Sequence, residues 1–149
     1  MPIEPRKILL VEDSAHDVEL TLEALGAHNL ANAVDIARDG EEALDYLYRR
    51  EKFLSRVPGN PAVVLLDIKL PKVDGHEVLT VIKSDEHLRL IPVVMLSSSR
   101  ESRDVAEAYR RGANAYLVKP VDFHAFIDVM KIVGAFWAVL NETAPLGAR

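Results

Sequence analysis

Acidic, hydroxyl and amine side chains stand directly after four short apolar runs of this sequence of 149 residues. In chain order they are Glu12 and Asp13, Asp67, Ser97 and Lys119. Three close carboxylates repel one another, so a site that keeps them ionised needs a compensating cation. Oxygen ligands of this kind suit Mg²⁺, which prefers one or two carboxylates, several waters and a phosphate oxygen. These residue types therefore predict a magnesium site.

An aspartate in such a site can also act as a nucleophile and form an acyl phosphate. Its attack on a phosphoryl donor depends on charge neutralisation more than on covalent chemistry. In this interpretation the metal neutralises one side of the transferred group, Lys119 neutralises another, and Ser97 donates a hydrogen bond to a third oxygen. The backbone N–H groups of Ile68 and Ser98 would complete the cradle.

Each of these residues also has an ordinary structural explanation. An aspartate after a strand commonly closes a turn, a serine before a helix usually caps it, and a lone lysine is usually solvated. A shared site is favoured because all five residues follow apolar runs that predict strands. In open α/β sheets, functional sites lie beyond the carboxyl ends of the strands, where the strand order reverses. The five side chains would meet there if strands one and three are neighbours.

The elements that must position these residues alternate strictly. Most of the apolar runs are unbroken, which is typical of strands buried on both faces. The predicted strands are 8–11, 34–37, 62–66, 93–96 and 116–118. The segments between them have helical spacing, which also turns Tyr109 and Phe123 toward the core. Five strand–helix units in sequence predict an α/β fold, a doubly wound five-stranded parallel sheet.

Polar residues and glycines mark the helix ends. The predicted N-caps and capping boxes are Ser14 with Asp17, Asp39, Ser98 with Glu101, and Asp122. Gly26 and Gly112 stand where helices one and four should end. The long connection 51–61 carries two prolines and a glycine and is predicted to be a loop.

The composition narrows the class of protein. Hydrophobic residues make up 49% of the sequence, as in ordinary globular proteins. The formal net charge of -5 disfavours nonspecific binding to nucleic acid or to anionic membranes. The absence of cysteine excludes disulfides, thiolate catalysis and zinc–sulfur sites. No uninterrupted apolar run approaches the length of a membrane span, and the N-terminus lacks the apolar core of a signal peptide. A single-domain cytoplasmic protein is expected.

Four motifs in order along the chain resemble the receiver domain of two-component response regulators. They are Leu9–Asp13, Leu65–Gly75, Val94–Ser97 and Gly112–Pro120. The resemblance spans about residues 6 to 128. It implies the chemotaxis-regulator, flavodoxin-like fold with strand order 2-1-3-4-5. It also implies a regulator that accepts a phosphoryl group from a histidine kinase and is not otherwise an enzyme.

The resemblance also assigns roles at the acidic end of the sheet. Asp67 is implied to be the phosphoacceptor. Asp13, Asp67 and the backbone carbonyl of Lys69 are implied to bind Mg²⁺, and Glu12 is implied to act through water.

A switch is implied on the other side of the same edge. Ser97 is the implied hydroxyl switch, Tyr116 the aromatic switch and Lys119 the partner of the phosphate. Phosphorylation would draw Ser97 inward and leave space for Tyr116, which shifts the population of states of the helix 4–strand 5–helix 5 surface. The bond between Lys119 and Pro120 is implied to be cis, a minor state of such bonds.

A narrower resemblance concerns three further segments. The stretch Tyr48–Pro61, the segment Ile82–Asp85 and the pair Phe136–Trp137 are similar to single-domain regulators paired with phytochrome histidine kinases. This implies a phytochrome as the partner sensor kinase.

The fifth helix has more apolar residues than one buried face requires. Residues Phe123, Phe126, Ile127, Met130, Val133 and Trp137 can form the core stripe. A second side of the helix carries Val129, Ile132, Phe136 and Leu140, and together with Trp137 these residues predict a homodimer interface. The alternative is that this side covers the edge of the same core or a folded-back tail. We expect residues 1–141 to form one receiver domain with an extended helix five, followed by a tail at 142–149.

Two other functional classes stay open at this stage. A magnesium-dependent phosphatase with an aspartate nucleophile has a similar site but typically carries a second aspartate two residues later, where this chain has Lys69. A pure interaction module would use the acidic pocket only structurally, and the presence of both Ser97 and Lys119 disfavours it.

Overall fold

A five-stranded parallel sheet with the order β2-β1-β3-β4-β5 forms the centre of the molecule. The structure is a computed structural model that describes residues 6–26, 30 and 33–145. The strands are β1 (Ile8–Val11), β2 (Val34–Ala37), β3 (Val63–Asp67), β4 (Val93–Ser97) and β5 (Ala115–Val118). The predicted fold class and strand order are therefore confirmed.

Helices connect consecutive strands. They are α1 (Ala15–Gly26), α2 (Gly40–Tyr48), α3 (Gly75–Ser84), α4 (Ser102–Arg110) and α5 (Phe123–Ala135). A π-helical segment, Phe136–Leu140, continues α5, and a short 3-10 turn, Glu51–Phe53, opens the connection predicted to be a loop.

Both faces of the sheet are buried, as the unbroken apolar runs predict. Leu9 and Val11 of β1 lie in a core formed with α2, α3 and α4. Ile8 and Leu10 of the same strand point the other way, into a core formed with α1 and α5. Alternation along each strand therefore supplies apolar side chains to both layers.

Most of the predicted caps are present. The Oγ of Ser14 accepts from the backbone N–H of Asp17 at 3.2 Å, Asp39 caps α2 and Asp122 caps α5. The capping box predicted at Ser98 is wrong, because α4 begins at Ser102. The Oγ of the next residue, Ser99, accepts from the backbone N–H of Glu101 at 3.2 Å and donates to Asp104.

Two predicted core residues lie at the surface. Tyr109 is 51% exposed and Phe123 is 46% exposed. Tyr109 lies in the last turn of α4, a short helix in which Ala108 is the buried residue. Phe123 is the first residue of α5, and its ring stacks against His124 instead. Helical spacing identifies a face but does not say how far along the helix that face stays covered.

Helix α5 packs closely against α1. Its buried residues include Phe126, Met130 and Val133. A Cβ atom on Gly134 would lie 2.1 Å from Leu25 Cδ2, so the absence of a side chain allows the two helices to approach.

Within the described residues, the continuous helical stretch Phe123–Leu140 is long and apolar enough to cross a membrane by length and composition alone. Asp128 and Lys131 interrupt this stretch, so it contains no uninterrupted apolar run of that length. The core helix of a folded domain meets the same criteria, so this is weak evidence for a membrane segment.

Candidate functional site

The carboxyl ends of β1 and β3 bring three carboxylates together. The two strands are paired, with Val11 opposite Leu66, so the residues that follow them are neighbours. Carboxylate oxygens of Glu12, Asp13 and Asp67 all lie within 4.8 Å of one another. The condition stated from the sequence, that strands one and three are adjacent, is met.

Lys119 extends from the end of β5 into this cluster. Its Nζ donates to Glu12 Oε1, to Asp17 Oδ2 at 3.0 Å and to Asp67 Oδ2 at 3.4 Å. The Lys119 side chain is 14% exposed, so these contacts are partly shielded from water. The site therefore holds one cation among four carboxylates, counting Asp13.

Asp17 belongs to the site although sequence reasoning assigned it only to the capping box of α1. It lies in the first helical turn, four residues after Asp13. Residues one helical turn apart lie on the same side of a helix, so the position of Asp17 four residues after Asp13 could have indicated that it lies near the other carboxylates.

Burial and neighbouring charges shift the pKa values of two groups in the cluster, Glu12 and Lys119. Burial is the main reason that the pKa of Glu12 rises to about 7; Asp67 raises it further, and Lys119 offsets part of the rise. Burial alone would lower the pKa of the Lys119 ammonium. Its hydrogen bonds and charge interactions with Glu12, Asp67 and Asp17 outweigh burial, so its pKa lies above the ordinary value.

This donor set fits a hard divalent cation. It offers carboxylate oxygens without nitrogen or sulfur, the set that Mg²⁺ and Mn²⁺ prefer over zinc. Lys119 supplies one positive charge against the carboxylates of Glu12, Asp13, Asp17 and Asp67, so the cluster can accommodate a further cation. Lys69 lies in the turn after β3 with an exposed side chain. The role of its backbone carbonyl as a ligand stays a prediction.

A close backbone contact holds Asp67 in place. The N–H of Gly75, the first residue of α3, donates to the carbonyl of Ile68 at 2.8 Å. A Cβ atom on Gly75 would lie 2.1 Å from the backbone oxygen of Asp67. Only glycine fits this approach, so the start of α3 fixes the turn that presents Asp67.

We expect Gly75→Ala to destabilise the fold by about 1–3 kcal/mol, the usual cost of forcing a group into a packed site. The turn after Asp67 must shift, so phosphorylation of Asp67 should also slow. Thermal denaturation measures the first effect. Glu77→Ala, an exposed change in the same helical turn, is the control and should shift the melting temperature much less. Equal shifts for the two variants would contradict the role given to Gly75.

The two predicted switch residues contact the same backbone segment. Ser97 is buried at the end of β4, and its Oγ accepts from the N–H of Ser99 at 3.0 Å. The Tyr116 hydroxyl donates to the carbonyl of Ser99 at 3.0 Å, and its partly buried ring packs against the core. Ser99 therefore links the two side chains, a connection that the motifs do not reveal.

The expectation of a cis bond between Lys119 and Pro120 is wrong. All peptide bonds across the described ranges are trans. The trans form is the lower-energy state of a bond before proline by about 0.5–1 kcal/mol.

Solved structures of similar proteins share this architecture. A crystal structure of the phosphorylated cyanobacterial phytochrome response regulator RcpA is 36% identical, with a TM-score of 0.87, over 95% of this chain and 100% of that chain. The bacteriophytochrome response regulator AtBRR is 57% identical, with a TM-score of 0.73, over 94% of this chain and 100% of that chain.

A relative from Synechocystis sp. is similar in both sequence and structure. Response regulator Rcp1 is 36% identical over 144 residues, which cover 97% of this chain and 95% of Rcp1. A crystal structure of the Mn²⁺-bound form of response regulator Rcp1 aligns with a TM-score of 0.86 and 34% identity, over 95% of this chain and 100% of that chain.

The family comparison covers most of the chain. Residues 8–131 match the model of the response regulator receiver domain. This range includes all three clustered carboxylates, the lysine between them and both switch residues. The chain belongs to the response regulator receiver-domain family, and its relatives include phytochrome response regulators.

Proposed function

We propose that this protein accepts a phosphoryl group on Asp67 from a histidine of a sensor histidine kinase, in a reaction that depends on Mg²⁺. The observation that carries this proposal is the position of Lys119, whose Nζ lies 3.4 Å from Asp67 Oδ2 beside the carboxylate cluster. A nucleophilic carboxylate, a fixed cation and oxygen ligands for a metal are the components that phosphoryl transfer requires.

The transfer balances without a proton donor. A carboxylate oxygen of Asp67 forms a bond to phosphorus while the bond from phosphorus to the donor nitrogen breaks, and the nitrogen keeps that electron pair. Lys119 follows the negative charge from the carboxylate to a phosphoryl oxygen, and the hydroxyl of Ser97 donates to another. Asp13, Asp67 and the carbonyl of Lys69, with Glu12 acting through water, would hold Mg²⁺, which would supply further neutralisation of the phosphoryl oxygens.

Ser99 would transmit the effect of phosphorylation from the site to the α4–β5–α5 surface. When Ser97 turns its hydroxyl toward the phosphoryl group, the N–H of Ser99 loses its present partner. The same residue accepts from Tyr116, so the segment before α4 and the ring on β5 would change together. The result is a population shift of the α4–β5–α5 surface.

The direct test is incubation of the protein with acetyl phosphate and Mg²⁺, followed by intact mass measurement. The proposal expects one added phosphoryl group, and expects none after chelation of the metal with EDTA. Steady release of phosphate over many turnovers would instead indicate the aspartate-nucleophile phosphatase. No phosphorylation with Mg²⁺ present would favour the interaction module.

The partner kinase is proposed to be a phytochrome in the cytoplasm, with neither nucleic acid nor a membrane as a partner. Support comes from the similar proteins RcpA and AtBRR, which are phytochrome and bacteriophytochrome response regulators. Phosphotransfer from a purified bacteriophytochrome kinase should be much faster than from an unrelated kinase. Equal rates would contradict this pairing.

Homodimerisation through α5 and the π-helical segment is also proposed. Ile132 is 70% exposed, Phe136 46% and Leu140 70%, and their spacing of four residues places them along one side. Two further predicted interface residues, Val129 and Trp137, are only partly buried in the monomer core. A second copy of the same face would cover these apolar groups.

Sedimentation at micromolar concentration should show a dimer for the wild type. Ile132→Glu should produce a monomer, because it places a charge in the proposed apolar contact. Leu54→Glu is the control, since Leu54 is equally exposed, at 71%, but lies in the loop after α2. A wild type that sediments only as a monomer would exclude the dimer.

A further inference from the structure

The ammonium group of Lys119 has no free donor in this structure. An ammonium carries three N–H donors and no acceptor. The side chains of Glu12, Asp17 and Asp67 each accept one of them. A new bond from Lys119 to a phosphoryl oxygen therefore requires that one carboxylate give up its share of the cation.

Asp17 is held firmly on the α1 side of Lys119. Its backbone N–H donates to Ser14 Oγ at 3.2 Å, and its carbonyl accepts from Thr21 Oγ1 at 2.8 Å. Its side chain is 26% exposed, so water screens the ion pair only in part. These bonds fix the backbone of Asp17 in the first turn of α1, and its carboxylate reaches Lys119 from there, separate from the acceptor Asp67 on β3.

The distances place Lys119 nearer to Asp17 than to the phosphoacceptor. Its Nζ lies 3.0 Å from Asp17 Oδ2 and 3.4 Å from Asp67 Oδ2. Coulomb energy falls with distance, and a second anion beside a cation reduces the field that a third anion experiences. The carboxylate on α1 therefore draws the cation away from the place where the phosphoryl group must form.

We propose that Asp17 is a positioning residue that competes with the phosphoryl group on Asp67 for Lys119, and so limits both the rate of phosphorylation and the lifetime of the acyl phosphate. The inference rests on the proposed function. Asp17 does not touch the reacting atoms and acts through Lys119. Through this competition, a residue of α1 would affect the lifetime of the acyl phosphate on Asp67.

The first test measures phosphorylation of Asp67 by acetyl phosphate at Mg²⁺ concentrations shown by titration to be saturating for each variant. Asp17→Asn removes the charge and keeps the size of the side chain. We expect its rate constant to rise roughly three- to tenfold, the effect of redistributing one partly screened ion pair. The acyl phosphate should also decay more slowly after the donor is removed.

Two further variants separate competition from other effects. Asp17→Glu retains the charge and should return both rates toward the wild type. Glu19→Gln removes one charge from an exposed position of α1 and should change neither rate. Equal effects of Asp17→Asn and Glu19→Gln would overturn the proposal, and so would an Asp17→Asn variant that is unchanged or slower.

A second readout needs no metal and no phosphoryl donor. In the metal-free protein, the ¹⁵N–¹H correlation of the Lys119 ammonium should shift and broaden in Asp17→Asn, because one partner that slows its exchange with water is lost. It should stay unchanged in Glu19→Gln. An unaltered signal in Asp17→Asn would overturn the inference. A wild type that takes no phosphoryl group would instead defeat the proposed function, while this spectrum still tests the Asp17–Lys119 contact.

Discussion

Replacing Asp67 with asparagine is expected to abolish phosphorylation by acetyl phosphate or by a cognate kinase. The amide lacks the anionic oxygen that must attack phosphorus, and it also removes one carboxylate from the cation site. Intact mass should show no added phosphoryl group at any Mg²⁺ concentration. The fold should survive, because Asp67 lies at the carboxyl end of β3, beyond the buried strand residues.

The matched control is Asp74→Asn. Asp74 is an exposed aspartate seven residues later, and its side chain caps α3 by accepting from the N–H of His76. Asparagine serves equally well at an N-cap, so this variant should be phosphorylated like the wild type. A phosphoryl group found on Asp67→Asn, and mapped by peptide analysis to Asp13 or elsewhere, would contradict the assignment.

Replacing Lys119 with methionine should affect phosphorylation and metal binding in opposite directions. The rate of phosphorylation should fall by about 10²–10³, the usual cost of removing one donor aimed at developing negative charge. Mg²⁺ should bind more tightly, because the carboxylates of Glu12, Asp13 and Asp67 lose a competing positive charge. Simple loss of structure would weaken both properties.

Two measurements check this prediction: the acetyl phosphate rate and a Mg²⁺ titration followed by calorimetry. Lys52→Met is the control, since Lys52 is an exposed lysine paired with Glu42, outside the carboxylate cluster. It removes the same charge and should change neither property. Weaker Mg²⁺ binding in Lys119→Met would show that the lysine supports the metal site and would contradict the competition between the two cations.

The positions of the strands could be predicted from the sequence, because a strand buried on both faces appears as an unbroken run of apolar residues. The runs at 8–11 and 34–37 coincide with β1 and β2 as observed. Predictions that depended on the limits of burial failed. Tyr109 and Phe123 have helical spacing, yet they lie beyond the covered part of their helices.

The start of α4 was also beyond local reasoning. Both Ser98 and Ser99 precede a helical segment, and either hydroxyl could cap it. Neither does so: Glu101 is the N-cap residue, and no side chain caps it. The Ser99 hydroxyl instead accepts from the N–H of Glu101 and donates to Asp104, while the Ser99 backbone is held by Ser97 Oγ and by the Tyr116 hydroxyl. Those contacts come from two different strands, so no window of sequence around α4 contains them.

The chemistry of the site was determined by residue type and by position after each strand, because parallel strands bring their carboxyl ends to one edge. The position of Asp17 four residues after Asp13 places it near this edge, but its contact with Lys119 was decided by tertiary structure. It reaches Lys119 across 102 residues of sequence. Their contact depends on how α1 packs against α5, the helix that follows β5, and packing between distant segments leaves no periodic trace in either of them.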